Sequence, residues 1–107
     1  MINTQNPDEL RARINSETGK VSWQELQPHF ARGVVIHVSQ GMDLVNVALS
    51  LARDDKAAFE KWLCAGSVAR VDEQQARDWA GRAPIFWAVV VAPWVLVQEA
   101  DVGIMIN

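Results

Sequence analysis

The chain of 107 residues has one cysteine, two histidines and no tyrosine. The single Cys64 excludes an internal disulfide and is typical of a reducing compartment, so we expect a cytoplasmic protein. His29, His37 and Cys64 fall in different predicted elements and lack paired spacing such as CxxC or HxxxH, so no metal site is expected. A glycine-rich phosphate loop, a GxSxG elbow and an HExxH motif are also missing. The sequence therefore indicates neither a cofactor nor a catalytic residue.

An excess of positive charge is missing as well. Lysine and arginine total 10 against 13 acids, which gives a net charge of -3 with both signs interspersed. This balance does not predict a basic face for nucleic acid or anionic lipid. The order of helices before a two-stranded element is similar to that of a winged helix. However, the segment 73–79, in the place of a recognition helix, carries one arginine against two acids, so we expect no nucleic-acid partner.

The longest hydrophobic run, residues 85–97 (IFWAVVVAPWVLV), is too short for a membrane-spanning helix, which needs about 20 apolar residues. We therefore expect no membrane partner. Its β-branched and aromatic side chains favour a strand, and the absence of polar alternation predicts that both faces are covered. Pro93 cannot donate a hydrogen bond to a ladder, so the run is either one bent strand or two consecutive strands.

Capping residues and glycines predict the limits of the helices. Pro7 after Asn6 is typical of a first helix, Ser22 with Glu25 of a capping box, and Asp72 with Gln75 of a further start. Glycines at positions 19, 33, 66 and 81 are predicted to follow helix ends.

The segment 43–66 keeps one apolar phase at helical spacing, so it could form one helix or two. A single helix would place Asp55 within the apolar stripe, where an unpaired carboxylate is unfavourable. A break near Arg53 makes Asp54 an N-cap and Asp55 a first-turn acid. We favour two helices packed as a hairpin, with both acids structural.

These elements predict a single α+β domain with about five short helices packed on a small, mainly antiparallel sheet. Its strands are expected near 34–38 and 85–98, and a short strand or an extended connection is expected at 67–71. The compact core is expected over 6–99, with a tail at 100–107.

A set of core and capping motifs spread over most of the chain resembles one family of short bacterial proteins, catalogued as domain-of-unknown-function family 2288. The motifs are WQEL at 23–26, RGV at 32–34, DL at 43–44 with VA at 47–48, DD at 54–55, Trp62 with Gly66, and PWVLVQ at 93–98. The resemblance covers about Asp8 to Glu99 and implies a small bacterial protein. It supplies no activity, cofactor or catalytic residue.

The function expected from these observations is a non-catalytic interaction or regulatory module that acts through protein–protein contacts. The alternative is a small-molecule-binding protein or enzyme with a site near Asp54, Asp55, Trp87 and Trp94. In that alternative a carboxylate stands at the mouth of a pocket, and an indole lines a ligand groove or a subunit interface. His37, expected to be partly buried within its strand, completes the set of candidate residues.

The expected partner is a second copy of the chain or another protein. A sheet of two or three strands leaves an apolar edge that must be covered, and a homodimer would cover it. The apolar segment 102–106 in the tail either folds back as an edge strand or lies against a neighbouring surface.

Overall fold

Five helices and five strands form along residues 7–100, the part of the chain that the computed structural model describes. The α+β class is confirmed, and so are the strands predicted near 34–38 and 85–98. The predicted cap at Asn6 and the tail after Asp101 lie outside the described residues. In chain order the elements are α1 (Pro7–Glu17), β1 (Gly19–Ser22), α2 (Trp23–Ala31), β2 (Val35–Val38), α3 (Leu44–Ala52), α4 (Lys56–Ala65), β3 (Val68–Arg70), α5 (Glu73–Arg82), β4 (Ile85–Val91) and β5 (Trp94–Glu99).

The strands form one sheet in the order β1-β4-β5-β2-β3. Three neighbouring pairs are antiparallel, whereas β2 runs parallel to β5, with Val35 opposite Val95 and His37 opposite Val97. The sheet is therefore mixed, which corrects the prediction of a mainly antiparallel one. Parallel neighbours require a long crossover connection, and the segment from α3 to β4 provides it between β2 and β5.

The apolar run 85–97 is a hairpin rather than a single bent strand. Strands β4 and β5 pair from Val91 opposite Trp94 to Phe86 opposite Glu99. The two residues between them are joined by a cis Ala92–Pro93 peptide bond, as in type VI turns. Both strands lie inside the sheet, and helices pack against both of its faces. The predicted cover of both faces is nevertheless wrong for part of β4, where Ile85, Trp87 and Val90 are 40%, 38% and 60% exposed.

Two hydrophobic cores lie on opposite faces of the sheet, because alternate residues of each strand point in opposite directions. Helices α1, α3 and α4 cover one face, and helices α2 and α5 cover the other. The buried residues of the first core are Ile14, Ile36, Val38, Leu44, Val47, Ala48, Leu49, Val68, Val89 and Leu96. Those of the second are Trp23, Leu26, Val35, Ala76, Trp79, Phe86, Ala88, Val95 and Val97.

The predicted break between two helices is confirmed, but its cap lies one residue later than predicted. Helix α3 ends with Arg53 as its C-cap, and Asp54 then adopts a left-handed conformation with φ 58°. Aspartate tolerates this conformation better than most residues because its short polar side chain bonds locally. The N-cap of α4 is therefore Asp55, whose Oδ1 accepts a hydrogen bond from the Ala58 amide at 3.2 Å.

The other capping predictions are confirmed except at two glycines. Gly19 begins β1 and does not take the left-handed conformation of a helix end. The Ser22–Glu25 box forms in both directions, and Asp72 caps α5 by accepting from the Gln75 amide. Gly66 ends α4 with φ 79°, a left-handed conformation that favours glycine. Gly81, however, lies inside α5. The helix ends instead at Ala83, which takes a left-handed conformation with φ 50° directly before Pro84.

Candidate functional site

The paired acids Asp54 and Asp55 lie at the turn between α3 and α4. A small depression of about 130 Å³ adjoins them, and neither Trp87 nor Trp94 lines it. The side chain of Asp55 is already used as the N-cap of α4. The acids therefore do not meet the two candidate tryptophans in one site.

Replacing Asp55 by alanine should lower the free energy of unfolding by about 1 kcal/mol, because the Ala58 amide loses its capping acceptor. Urea denaturation measures this loss. Asp55→Asn is the matched control, since asparagine caps as well as aspartate and should keep stability close to that of the unaltered chain. If both variants lose the same amount, the negative charge rather than the cap is what matters at this position.

Trp87 lies on the face of the sheet covered by α1 and α3 and is 38% exposed. The Lys20 ammonium stands 5.0 Å from its ring centroid, a cation–π arrangement. The indole lines a cleft of about 470 Å³ between α1 and the start of α3, which we call the Trp87 cleft. Its polar lining side chains are Asn15, Thr18, Asp43 and Gln98.

Trp94 lies at the start of β5, partly buried against the core under α3 and α4. The guanidinium of Arg70 stands 5.2 Å from its ring centroid and also donates to the Gly33 carbonyl at 2.8 Å. These contacts join the edge strand β3 to the start of β5 and to the segment before β2. They leave Trp94 outside the Trp87 cleft.

His37 is half-buried on the opposite face, with its ring edge-on to that of Trp79 at 5.2 Å. Burial lowers the pKa of His37, because an imidazolium is poorly solvated there, while the negative charge of Glu99 acts in the opposite direction. The neutral form of the imidazole is thus favoured. Its expected partial burial is confirmed.

A polar network at the end of β5 was not predicted from the sequence. The Trp79 indole donates to Glu99 Oε2 at 3.1 Å, and Arg82 donates to both oxygens of Glu99 and both of Asp78. Hydrogen bonds from Arg82 lower the pKa of Asp78 and of Glu99 and raise that of Arg82 itself. The network fixes α5 on the sheet. Only the Asp78–Arg82 pair could have been predicted from the sequence, because residues four apart in a helix are neighbours on its surface.

The second unpredicted feature is an open groove of about 480 Å³ between α2 and α5, called here the α2–α5 groove. Trp23 lines it and is 7% exposed, and its indole N–H is a buried side-chain donor without an acceptor among the described residues. Sequence reasoning treated these helices separately, so it had no signal for the groove. The other main lining residues are Gln27 and Phe30 on α2 and Glu73, Ala76, Arg77 and Ala80 on α5.

Residues 7–100 contain neither a cluster of metal ligands nor a helix that could span a membrane. No three His, Cys, Asp or Glu side chains in that range are grouped as a metal ion would require. None of the helices described is long and apolar enough to cross a membrane.

The fold and these surfaces define a small α+β domain with a five-stranded mixed sheet between two helical layers. The chain belongs to the family described as protein of unknown function (DUF2288), whose family model matches residues 9–99. It is similar to the protein PA1075 from Pseudomonas aeruginosa, known from an NMR solution structure, with 45% identity, 92% of each chain covered and a TM-score of 0.76. Among curated proteins, none matches the chain.

Proposed function

We propose that this protein is a non-catalytic interaction module of the cytoplasm that binds a protein partner through the α2–α5 groove. The observation that carries the proposal is the groove itself, in which two aromatic side chains and small alanines are bordered by an acid and a base. Tryptophan, phenylalanine and arginine are enriched where proteins meet, and an open trough between two helices fits a helical segment of a partner.

Trp23 supports the proposal because it combines rigidity with an unused polar group. Its ring is held against those of Phe30 at 5.8 Å and Trp79 at 5.7 Å, so this wall of the groove is preorganised. A buried N–H without an acceptor destabilises a protein by about 1–3 kcal/mol.

Site-specific photo-crosslinking in the producing bacterium tests the proposal. A photoreactive phenylalanine analogue at Gln27, in the groove, should form a covalent adduct with a polypeptide. The same analogue at Lys61, exposed on the opposite helical layer, should not. The adduct from Gln27 should disappear when Ala80→Glu places a charge in the groove. Equal adducts from both positions, or an adduct that survives Ala80→Glu, would contradict binding through this surface.

The Trp87 cleft favours a second candidate function, the binding of a small molecule. Its volume of about 470 Å³ suits a ligand of that size, and four polar side chains surround one exposed indole. In this alternative the site uses Trp87 and Asn15 rather than Asp54 or Asp55, because Asp43 already caps α3 by accepting from the Val45 and Asn46 amides. Small-molecule fragments are added, and the chemical shifts of the backbone amides that line the cleft are measured. These shifts should change in the unaltered chain and in Trp94→Ala, but not in Trp87→Ala. Shifts that persist in Trp87→Ala would exclude it.

A further inference from the structure

We propose that the partner in the α2–α5 groove is a second copy of this chain, docked groove to groove about a two-fold axis that passes beside α5. This inference rests on the proposed function, because it names the partner of the same surface. A two-fold interface must be complementary to itself, so that every contact between two residues occurs twice. The groove meets that condition in both its charges and its shape.

The charges come from Glu73 and Arg77, which lie one turn apart on the rim contributed by α5. Their side chains are 83% and 78% exposed, and within one copy they form a loose ion pair at 3.7 Å. When the two-fold axis is perpendicular to α5, the two copies of this helix run antiparallel. Glu73 of one copy then faces Arg77 of the other, and the reverse contact forms at the same time. A rim that carries one acid and one base is therefore complementary in charge to the same rim of a second copy.

The shape comes from small side chains beside large ones. Ala76 and Ala80 lie one turn apart on the groove side of α5, so a second helix can approach it closely. Phe30, on the α2 side and only partly buried, provides apolar surface for the incoming helix to cover, whereas Trp23 is already buried within one copy. In a two-fold dimer each copy covers this surface of the other, so apolar area is buried in both grooves.

The sheet edges provide a poorer route to a dimer than the sequence predicted. The apolar hairpin lies inside the sheet, and the edges are β1 and β3, with four and three residues. Lys20 on β1 and Arg70 on β3 place a positive charge on each edge, which disfavours pairing with another strand. The helical groove is therefore the better candidate for self-association.

Charge reversal tests the two-fold contact directly. Glu73→Arg brings like charges together at both symmetric contacts, and so does Arg77→Glu, so each variant should raise the dimer dissociation constant by about tenfold or more. The double variant restores opposite charges and should dimerise like the unaltered chain. An equimolar mixture of the two single variants should form heterodimers. Sedimentation equilibrium measures the masses, and native mass spectrometry separates the mixed species.

Arg13→Glu on α1 is the matched control, since it breaks an exposed ion pair of the same spacing outside the groove and should leave the dimer unchanged. Thermal melts check that every variant is folded. A chain that is monomeric from micromolar to millimolar concentration would overturn the inference. So would a dimer that the single reversals do not weaken. In either case, an adduct between Gln27 and a different protein would still support the groove as a binding surface, which separates the two failures.

Discussion

Replacing Trp79 by alanine should lower the free energy of unfolding by about 3–5 kcal/mol, the range for large aromatic residues removed from a core. Its side chain is 0% exposed. The ring contacts those of Phe86 at 4.6 Å and Trp23 at 5.7 Å, and its N–H donates to Glu99 at 3.1 Å. Truncation would leave a cavity under α5 and remove one donor from a partly buried carboxylate. Since small domains have only about 5–15 kcal/mol of stability, the variant should be close to unfolding.

Two variants separate the causes of this loss. Trp79→Phe keeps an aromatic ring but removes the donor to Glu99, so it should lose clearly less than the alanine variant. Trp87→Ala removes the same side chain from a position that is 38% exposed and should also lose less. Urea denaturation gives all three values. If Trp87→Ala destabilises the chain as much as Trp79→Ala, burial in the second core does not decide the effect.

Local chemistry was sufficient to predict most helix limits. Ser22, Asp72 and Gly66 act where the sequence placed them, because caps depend on residues only a few positions away. The same reasoning found the break between α3 and α4. It misplaced the cap by one residue, since nothing in the sequence shows that Asp54 will take a left-handed conformation.

Long-range pairing was beyond the same reasoning. The four residues of β1 contain glycine, lysine and serine, and they form a strand because β4 lies beside them with an unpaired edge. The parallel pairing of β2 with β5 depends on the path of the crossover rather than on any residue in the two strands. The mixed sheet follows from that path.

The candidate site was predictable only in part. The partial burial of His37 agrees with reasoning from strand position and residue type, whereas Trp87 is 38% exposed although the apolar run predicted that both faces of its strand are covered. The α2–α5 groove and the Glu99 network depend on which helices become neighbours. Helices α2 and α5 meet on one face because of the strand order, in which β1 lies beside β4 and β4 beside β5. Glu99 was interpreted only as the end of an apolar run, whereas it accepts from two residues of α5.

The opposite core provides the second large effect. Leu96→Ala should lower the free energy of unfolding by about 2–5 kcal/mol, because the side chain is 0% exposed at the centre of the sheet. It points into the core beneath α3, where its neighbour Val89 on β4 is also buried. Strands on both sides of β5 hold the backbone in place, so the cavity cannot collapse easily and the loss should lie in the upper half of the range.

Leu63→Ala is the matched control for this second effect, because the same methyl groups are removed from a side chain that is 44% exposed on α4. Its loss should stay below about 1 kcal/mol, since surface positions rarely exceed that value. Denaturant midpoints at unchanged slope measure both variants. Comparable losses at Leu63 and Leu96 would mean that α4 packs as tightly as the centre of the sheet. A loss at Leu96 several times larger supports a core organised around β5.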